Sequence, residues 1–477
     1  MNTFSTTAQI TLASLREEII GIDTFVPTLD GTEKRYVFLD NAASTPTFRS
    51  VFRAMEEFMP WYSGVHRGTG YKSQVATELY DKARMIIGNF VGADMDENVV
   101  IFGKNTTEAA NKLSNRLPLS GDDVIITTAM EHHSNDLPWR KHKKIIHISV
   151  DDDGFLRLDE FKKALSDYAG KVKLVAVSGA SNITGICNPI HDIARWTHAA
   201  GAKIFVDAAQ LAPHRTINIL PNDEPEHIDF IAFSAHKLYA PFGIGVLIGD
   251  KEIFSQGIPD IVGGGTVKAV SLDEVHWDDA PHKEEACSPN VPGVIALAKA
   301  ITMLEEIGME TIADHELELL EYTFRKIQNV PKIILYGPTK NLRNKVGTIP
   351  FNIAGMHNAL VAAILSAEGA IGVRNGCFCA HPYVKRMLKI TPEEDKRFTE
   401  EMIHGNKSNM PGMVRASLGC YSTEEDIDLF IDMLYRIVRK EFVGEYIEDT
   451  CAGSFSAQGF SIDTDHCFSF ENTLATI

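Results

Sequence analysis

The sequence predicts an α/β protein, with a large domain on a mostly parallel seven-stranded sheet and a smaller α+β domain behind it. Two observations carry this. Seven short apolar runs, at 98–102, 123–127, 144–149, 174–178, 202–206, 230–233 and 244–248, alternate with helical patterns such as 104–116, 159–169 and 190–200. Such alternation builds parallel sheets covered on both faces, whose strands read as continuous apolar runs. From about 291 the pattern changes: two long helical stretches, 291–307 and 309–330, lead into mixed short strands and helices.

A chain of 477 residues is too long for one simple core. The expected division is an N-terminal segment 1–36 packing with the small domain, a large domain 37–290, a small domain 291–440 and a tail 441–477. The tail holds seven acidic residues and no Lys or Arg, and reads as an appendage of uncertain order. Within the small domain, residues 391–403 read as an inserted helix. Thr391 is its cap, Pro392 suits the first turn and Glu394 completes a capping box.

A formal charge of −18 argues against nucleic acid and anionic membranes as partners. No apolar run is long enough to span a bilayer, and the first ten residues lack the basic and apolar regions of a signal peptide. Seven cysteines in so long a chain make no disulfide framework. These features point to the reducing cytoplasm, where a thiol stays free for chemistry.

Ligands of open α/β sheets bind beyond the carboxyl ends of the strands. Asp207 and Lys237 each fall just after an apolar run. Pyridoxal phosphate (PLP) needs that pair: a lysine for its aldehyde and a carboxylate for its ring nitrogen. Asn-Thr-Thr-Glu at 105–108 follows a strand and opens a helix, so it reads as an anion site or as an ordinary helix cap. Ser234 and His236 are further candidate donors, and Gly263–Thr266 is a phosphate loop or a turn. Glu-His-His-Ser-Asn at 131–135 offers a neutral imidazole, while no third ligand at a metal spacing accompanies the paired histidines. Arg-Asn-Gly-Cys-Phe-Cys-Ala-His-Pro at 374–382 reads as a loop that exposes a thiol, binds a metal, forms a redox pair or buries inert cysteines. Arg415 offers a two-pronged grip on a carboxylate or a structural salt bridge.

Together these segments resemble the class V aminotransferase group of fold type I PLP enzymes. Within it they are most similar to the Suf-type (group II) cysteine desulfurases and selenocysteine lyases. The likeness runs from about Tyr36 to Val438. It is carried by the motifs above together with Leu-Asp-Asn-Ala-Ala-Ser at 39–44, Val-His-Arg-Gly at 65–68, Ser-Asn-Ile-Thr-Gly at 181–185, Val-Asp-Ala-Ala-Gln at 206–210 and Arg-Ala-Ser-Leu at 415–418. The resemblance implies that Lys237 carries PLP and moves the substrate α-proton. Asp207 pairs with the ring nitrogen, Gln210 with the ring's phenolic oxygen, and His132 stacks on the ring. Thr107, Ser234 and His236 hold the phosphate. Ser288 reaches the partner subunit's phosphate in a homodimer. Asn182 and Arg415, with Arg374 nearby, hold the substrate carboxylate, and Cys379 is the nucleophile. The implied reaction converts L-cysteine to L-alanine and leaves the sulfur on Cys379 as a persulfide for an acceptor protein. Selenocysteine is a second possible substrate.

Three features depart from that pattern. Cys377 is a second thiol beside the nucleophile. Cys287 stands where a glycine is expected. The stretch between Cys379 and Arg415 is long and holds the 391–403 helix. Fold does not fix reaction type. An aminotransferase, lyase or epimerase acting on another amino acid, and a non-catalytic scaffold of the same fold, therefore stand as alternatives.

Overall fold

The computed structural model describes residues 12–142 and 144–470. The first part of the N-terminal segment, the residues read for a signal peptide and the last seven residues of the tail lie outside the described residues. Seven strands form the main sheet: β1 (Asn98–Gly103), β2 (Val124–Thr128), β3 (Ile145–Ile148), β4 (Val172–Ser178), β5 (Lys203–Asp207), β6 (Phe230–Ser234) and β7 (Gly245–Asp250). Their order is β1-β7-β6-β5-β4-β2-β3, and only β7 runs against its neighbours. The predicted α/β class with its mostly parallel seven-stranded sheet is thus observed. Every other strand ends at the same edge.

The continuous apolar runs are explained by burial on both faces. Val100, Phe102, Ile204, Val206, Ile231 and Phe233 enter one core group, while Val99, Ile101, Phe205, Phe230 and Ala232 enter another. Successive side chains of a strand point to opposite faces, so one run feeds two cores. Helix α1 (Thr106–Arg116) follows β1, and the Asn105 side chain caps it by accepting from Glu108 N–H at 3.0 Å. The turn at Asn105 lies directly on Gly245 at the start of β7. A Cβ there would meet Asn105 backbone atoms 2.3–2.5 Å away, so only glycine fits.

Helix α2 (Val291–Ile307) packs with the helices Arg49–Phe58 and Tyr71–Phe90 in the first core group. The packing turns over within α3 (Met309–Ile327). Met309 and Ile312 join that group, while Leu319, Leu320 and Phe324 join a separate one. That separate core lies against a four-stranded antiparallel sheet of β8 (Ile333–Leu335), β9 (Thr348–Ile353), β10 (Arg374–Gly376) and β11 (Met413–Ser417), in the order β8-β9-β11-β10. Helices α4 (Asn358–Gly369) and α6 (Glu424–Arg439) also contribute to it. Helix α5 (Pro392–Ile403) is the helix predicted over 391–403. Both halves of the Thr391–Glu394 capping box are formed, and α5 buries none of its residues.

Residues 12–36 touch both cores. Leu15, Ile19 and Ile22 are buried in the first, while Arg16 and Arg35 pair with Asp426 on α6. The acidic tail folds into a hairpin of β12 (Tyr446–Asp449) and β13 (Ser454–Ala457), with β13 against α4.

Candidate active site

The sheet edge opens into a cavity of about 530 Å³. Ser178, Asp207 and Ser234 are the last residues of β4, β5 and β6, and all three line it. Thr106 and Thr107 reach it from the start of α1, His132 from the turn after β2, and His236 and Lys237 from the turn after β6. The small sheet closes the other side with Arg374, Cys377, Cys379 and Arg415. Of the predicted site residues, the cavity gathers Lys237, Cys379, His132, Asp207, Gln210, Thr107, Ser234, His236, Arg415, Asn182 and Arg374.

Ser288 lies elsewhere, exposed beside Cys287, on a second cavity of about 990 Å³ lined also by His66, Arg67 and Gly265. Cys287 has φ +67°, a left-handed conformation that suits glycine far better. That accounts for the glycine expected there.

Burial pushes the Lys237 amine down to about 8; Asp207 and Cys379 oppose the shift, while Arg415 adds to it. Among the described residues the amine makes no hydrogen bond or ion pair. Asp207 is buried, and desolvation raises its carboxyl against the opposing effects of the Ala209 N–H, 2.9 Å away, and Lys237. His132 is pushed down to about 3 by burial and by the charges of Lys237, His133 and Arg415. Its ring is therefore neutral. Its Nδ1 accepts from Ser134 N–H at 3.1 Å, and a backbone N–H can only donate, so the ring proton sits on Nε2. His236 is likewise held down, to about 4, by burial and by Lys237. The Ser234 hydroxyl accepts from Thr106 N–H at 2.9 Å, and the Thr107 and Ser134 hydroxyls lie 2.6 Å apart. Gln210 donates one N–H to the Ala42 carbonyl at 2.6 Å.

Register explains the cationic side. Arg374 on β10 and Arg415 on β11 are direct cross-strand partners, a repulsive arrangement by itself. Asp40 relieves it: one carboxylate oxygen lies 3.1 Å from Arg415 and the other 2.8 Å from Arg374. Arg415 is 2% exposed and donates to the Asn182 carbonyl at 2.8 Å, and among the described residues its Nε has no partner. Asn182 spends its side-chain amide on the Phe378 carbonyl at 2.8 Å, so it braces the cysteine loop. Phe378 and Cys379 both have left-handed φ, +50° and +55°. Each costs about 1–3 kcal/mol, and the loop is fixed by Asn182 and by His133 N–H to the Cys379 carbonyl at 2.7 Å. Cys379 is exposed; Cys377 is buried, donates to the Pro411 carbonyl at 2.9 Å and is pushed up to about 12.

Sequence reasoning assigned no role to Asp40, Ser134, Met410 or the tail residues Ala452 and Gly453, all of which contribute here. Asp40 and Ser134 sit inside motifs already singled out. For the tail, Asp449 and Gly453 between two short alternating stretches were a hairpin signal.

The donor set fits PLP. An unpaired lysine, a buried carboxylate with one N–H partner, hydroxyls at a helix start and a neutral imidazole are the groups its aldehyde, ring and phosphate require. The fold and this cavity define a PLP-dependent enzyme of fold type I. The chain belongs to the class V aminotransferase family, whose model matches residues 37–430. It is 36% identical over 413 residues to a cysteine desulfurase of Cronobacter sakazakii, covering 84% of this chain and 93% of that one. It is 35% identical over 415 residues to a probable cysteine desulfurase of Synechocystis, covering 84% and 91%. Among solved structures it resembles the apo cysteine desulfurase of Thermococcus onnurineus, with TM-score 0.77, 32% identity and coverage of 90% and 98%. The Escherichia coli cysteine desulfurase CsdA, solved as its S-sulfonic acid, matches with TM-score 0.74, 26% identity and coverage of 93% and 100%.

Proposed function

We propose that this chain is a cysteine desulfurase: it converts L-cysteine to L-alanine and holds the released sulfur on Cys379. The carrying observation is one cavity lined together by the exposed Cys379, the buried guanidinium residue Arg415 and Lys237. Bound PLP supplies an electrophilic carbon for the amino group and takes up the electron pair left at the α-carbon.

The chain's own groups do the rest. Lys237 holds the cofactor, with Asp207 at the ring nitrogen, Gln210 at the phenolic oxygen, His132 over the ring and Thr107, Ser234 and His236 at the phosphate. Arg415 grips the substrate carboxylate, its charge set in place by Asp40 and the Asn182 carbonyl. The Lys237 amine, held near 8, takes the α-proton and returns it. The Cys379 thiolate attacks the substrate sulfur, an S–S bond forms and the Cβ–S bond breaks. The carbon keeps that electron pair and, once protonated, becomes the methyl of alanine. We further read the chain as a homodimer in which Ser288 serves the partner subunit's site, which sedimentation of the purified protein checks.

The test is alanine release from L-cysteine, with PLP and a reductant, by wild type and by Cys379→Ala. Wild type is expected to form alanine and sulfide. The variant is expected to keep the cofactor's colour and lose the activity. Equal activity in both overturns the role of Cys379, and a coloured wild type inert toward cysteine overturns the substrate.

A further inference from the structure

The turn after β2 is built on a carboxylate that the reaction itself does not use. Glu131 is buried and does not line the active-site cavity, whereas its neighbour His132 does. One Glu131 oxygen accepts from the Thr128 hydroxyl at 2.6 Å and from Ser178 N–H at 3.0 Å. The other accepts from the Ser178 hydroxyl at 2.6 Å and from the Asn135 side-chain amide at 2.6 Å. The carboxylate therefore joins the last residue of β2, the last residue of β4 and the turn 131–135. Ser178 lines the cavity and is the cross-strand partner of Asp207.

Each oxygen faces one group that can only donate. Ser178 N–H is the first. Asn135 is the second: its Oδ1 accepts from the Trp139 indole N–H at 3.0 Å, so its amide N–H is the end turned toward Glu131. Trp139 is fully buried and packs on Phe205, which anchors that end. An amide at 131 would set its own N–H against one of these donors whichever way it turned. Burial pushes the Glu131 carboxyl up to about 7 and the four bonds pull it back, so its charge depends on them.

The turn fixed in this way carries much of the site. His132 Nδ1 accepts from Ser134 N–H, the Ser134 hydroxyl meets that of Thr107, and His133 N–H holds the Cys379 carbonyl at 2.7 Å. We propose that Glu131 is a positioning residue: its ionised carboxylate sets the turn that places the His132 ring for the cofactor and the Cys379 loop for the substrate sulfur. The Cys379 half rests on the desulfurase reading; the His132 half needs only the cofactor.

The experiment reverses one bond. Glu131→Gln puts an amide against a fixed donor. Adding Asn135→Asp places a carboxylate opposite that amide, with the charge kept, and the Ser178 hydroxyl can rotate to accept. The three PLP-loaded proteins are compared at about pH 8, where the Glu131 carboxyl is mostly ionised. The readouts are visible circular dichroism of the bound cofactor, alanine release from L-cysteine, and Tm. Glu131→Gln is expected to lose most of the dichroism and about tenfold in kcat, with KM within about twofold. KM is spared because Arg415 is held by Asp40 and Asn182 instead. The double variant is expected to regain both dichroism and kcat. A fall in Tm alone, with dichroism and kcat kept, overturns the proposal, because Glu131 is then only structural. So does a folded double variant no better than Glu131→Gln. Should Glu131→Gln fail to fold, Thr128→Val, which takes one hydroxyl from the carboxylate, is expected to lower both readouts, and wild-type values in it overturn the proposal. A wild type that makes no alanine overturns the desulfurase reading and the Cys379 half with it, while the dichroism still decides the His132 half.

Discussion

An amine that must act as a nucleophile at neutral pH has to shed its proton there, and burial does this for Lys237. At about 8, roughly a tenth of the amine is free at pH 7, against well under a thousandth for an ordinary lysine. The pKa is lowered, so the reactive form grows as pH rises and saturates above the shifted value. Uptake of PLP by cofactor-free protein, followed by absorbance of the bound cofactor, is therefore expected to quicken up to about pH 8 and then level off. A rate still climbing through pH 10 would mean an unshifted lysine. At the substrate end, Arg415→Lys keeps the charge but loses the planar fork. Hydrogen bonds to charged groups are worth about 1.5–3 kcal/mol, so the KM for L-cysteine is expected to rise about tenfold or more, with a smaller change in kcat. An equal loss confined to kcat would place Arg415 outside carboxylate binding.

At the scale of elements, α5 stands on its cap rather than on a core. It buries no residue, and both capping-box bonds are made at Thr391. Thr391→Ala is expected to remove about 1 kcal/mol from this helix alone. Hydrogen exchange over 392–403 should quicken about fivefold while the global Tm stays put; a falling Tm would show that α5 is coupled to the fold. The same helix shows what a sequence displays openly. Thr391, Pro392 and Glu394 act within one turn, and the sheet strands other than the edge strand β3, whose His147 is exposed, are nearly continuous apolar runs because both of their faces are buried. Lys237, Asp207 and His132 were legible for a related reason, since each lies at or just after the carboxyl end of a strand and the sheet gathers strand ends. Asp40 between two arginines was not legible, because it depends on β10–β11 register across the 36 positions between Gly376 and Met413 and on a bridge residue far upstream. Nor was the bracing use of Asn182, whose partner is a backbone carbonyl 196 residues away.

At the scale of the whole molecule, the tail is where local reading and tertiary structure diverge. A two-stranded hairpin is marginal alone, and acidic Ser- and Thr-rich composition offers it little core. Besides β13 on α4 and the Lys407 N–H to the Thr450 carbonyl at 2.8 Å, one buried carboxylate holds its base. Glu368, 3% exposed on α4, takes two successive backbone N–H groups and a tyrosine hydroxyl from the tail and lies 3.5 Å from Arg436. In Glu368→Ala those N–H groups lose their acceptor, at about 1–3 kcal/mol each. That sum exceeds what the partly buried Tyr446 and the buried Ala457 can offset, so the tail should leave as a unit while both cores persist. Limited proteolysis of the variant is expected to cut first between 441 and 457 and to leave a stable fragment. In wild type the same bonds should survive as long as the rest of the chain. A tail equally protected in both proteins would show that β13 packing on α4, and not Glu368, keeps the cavity wall in place.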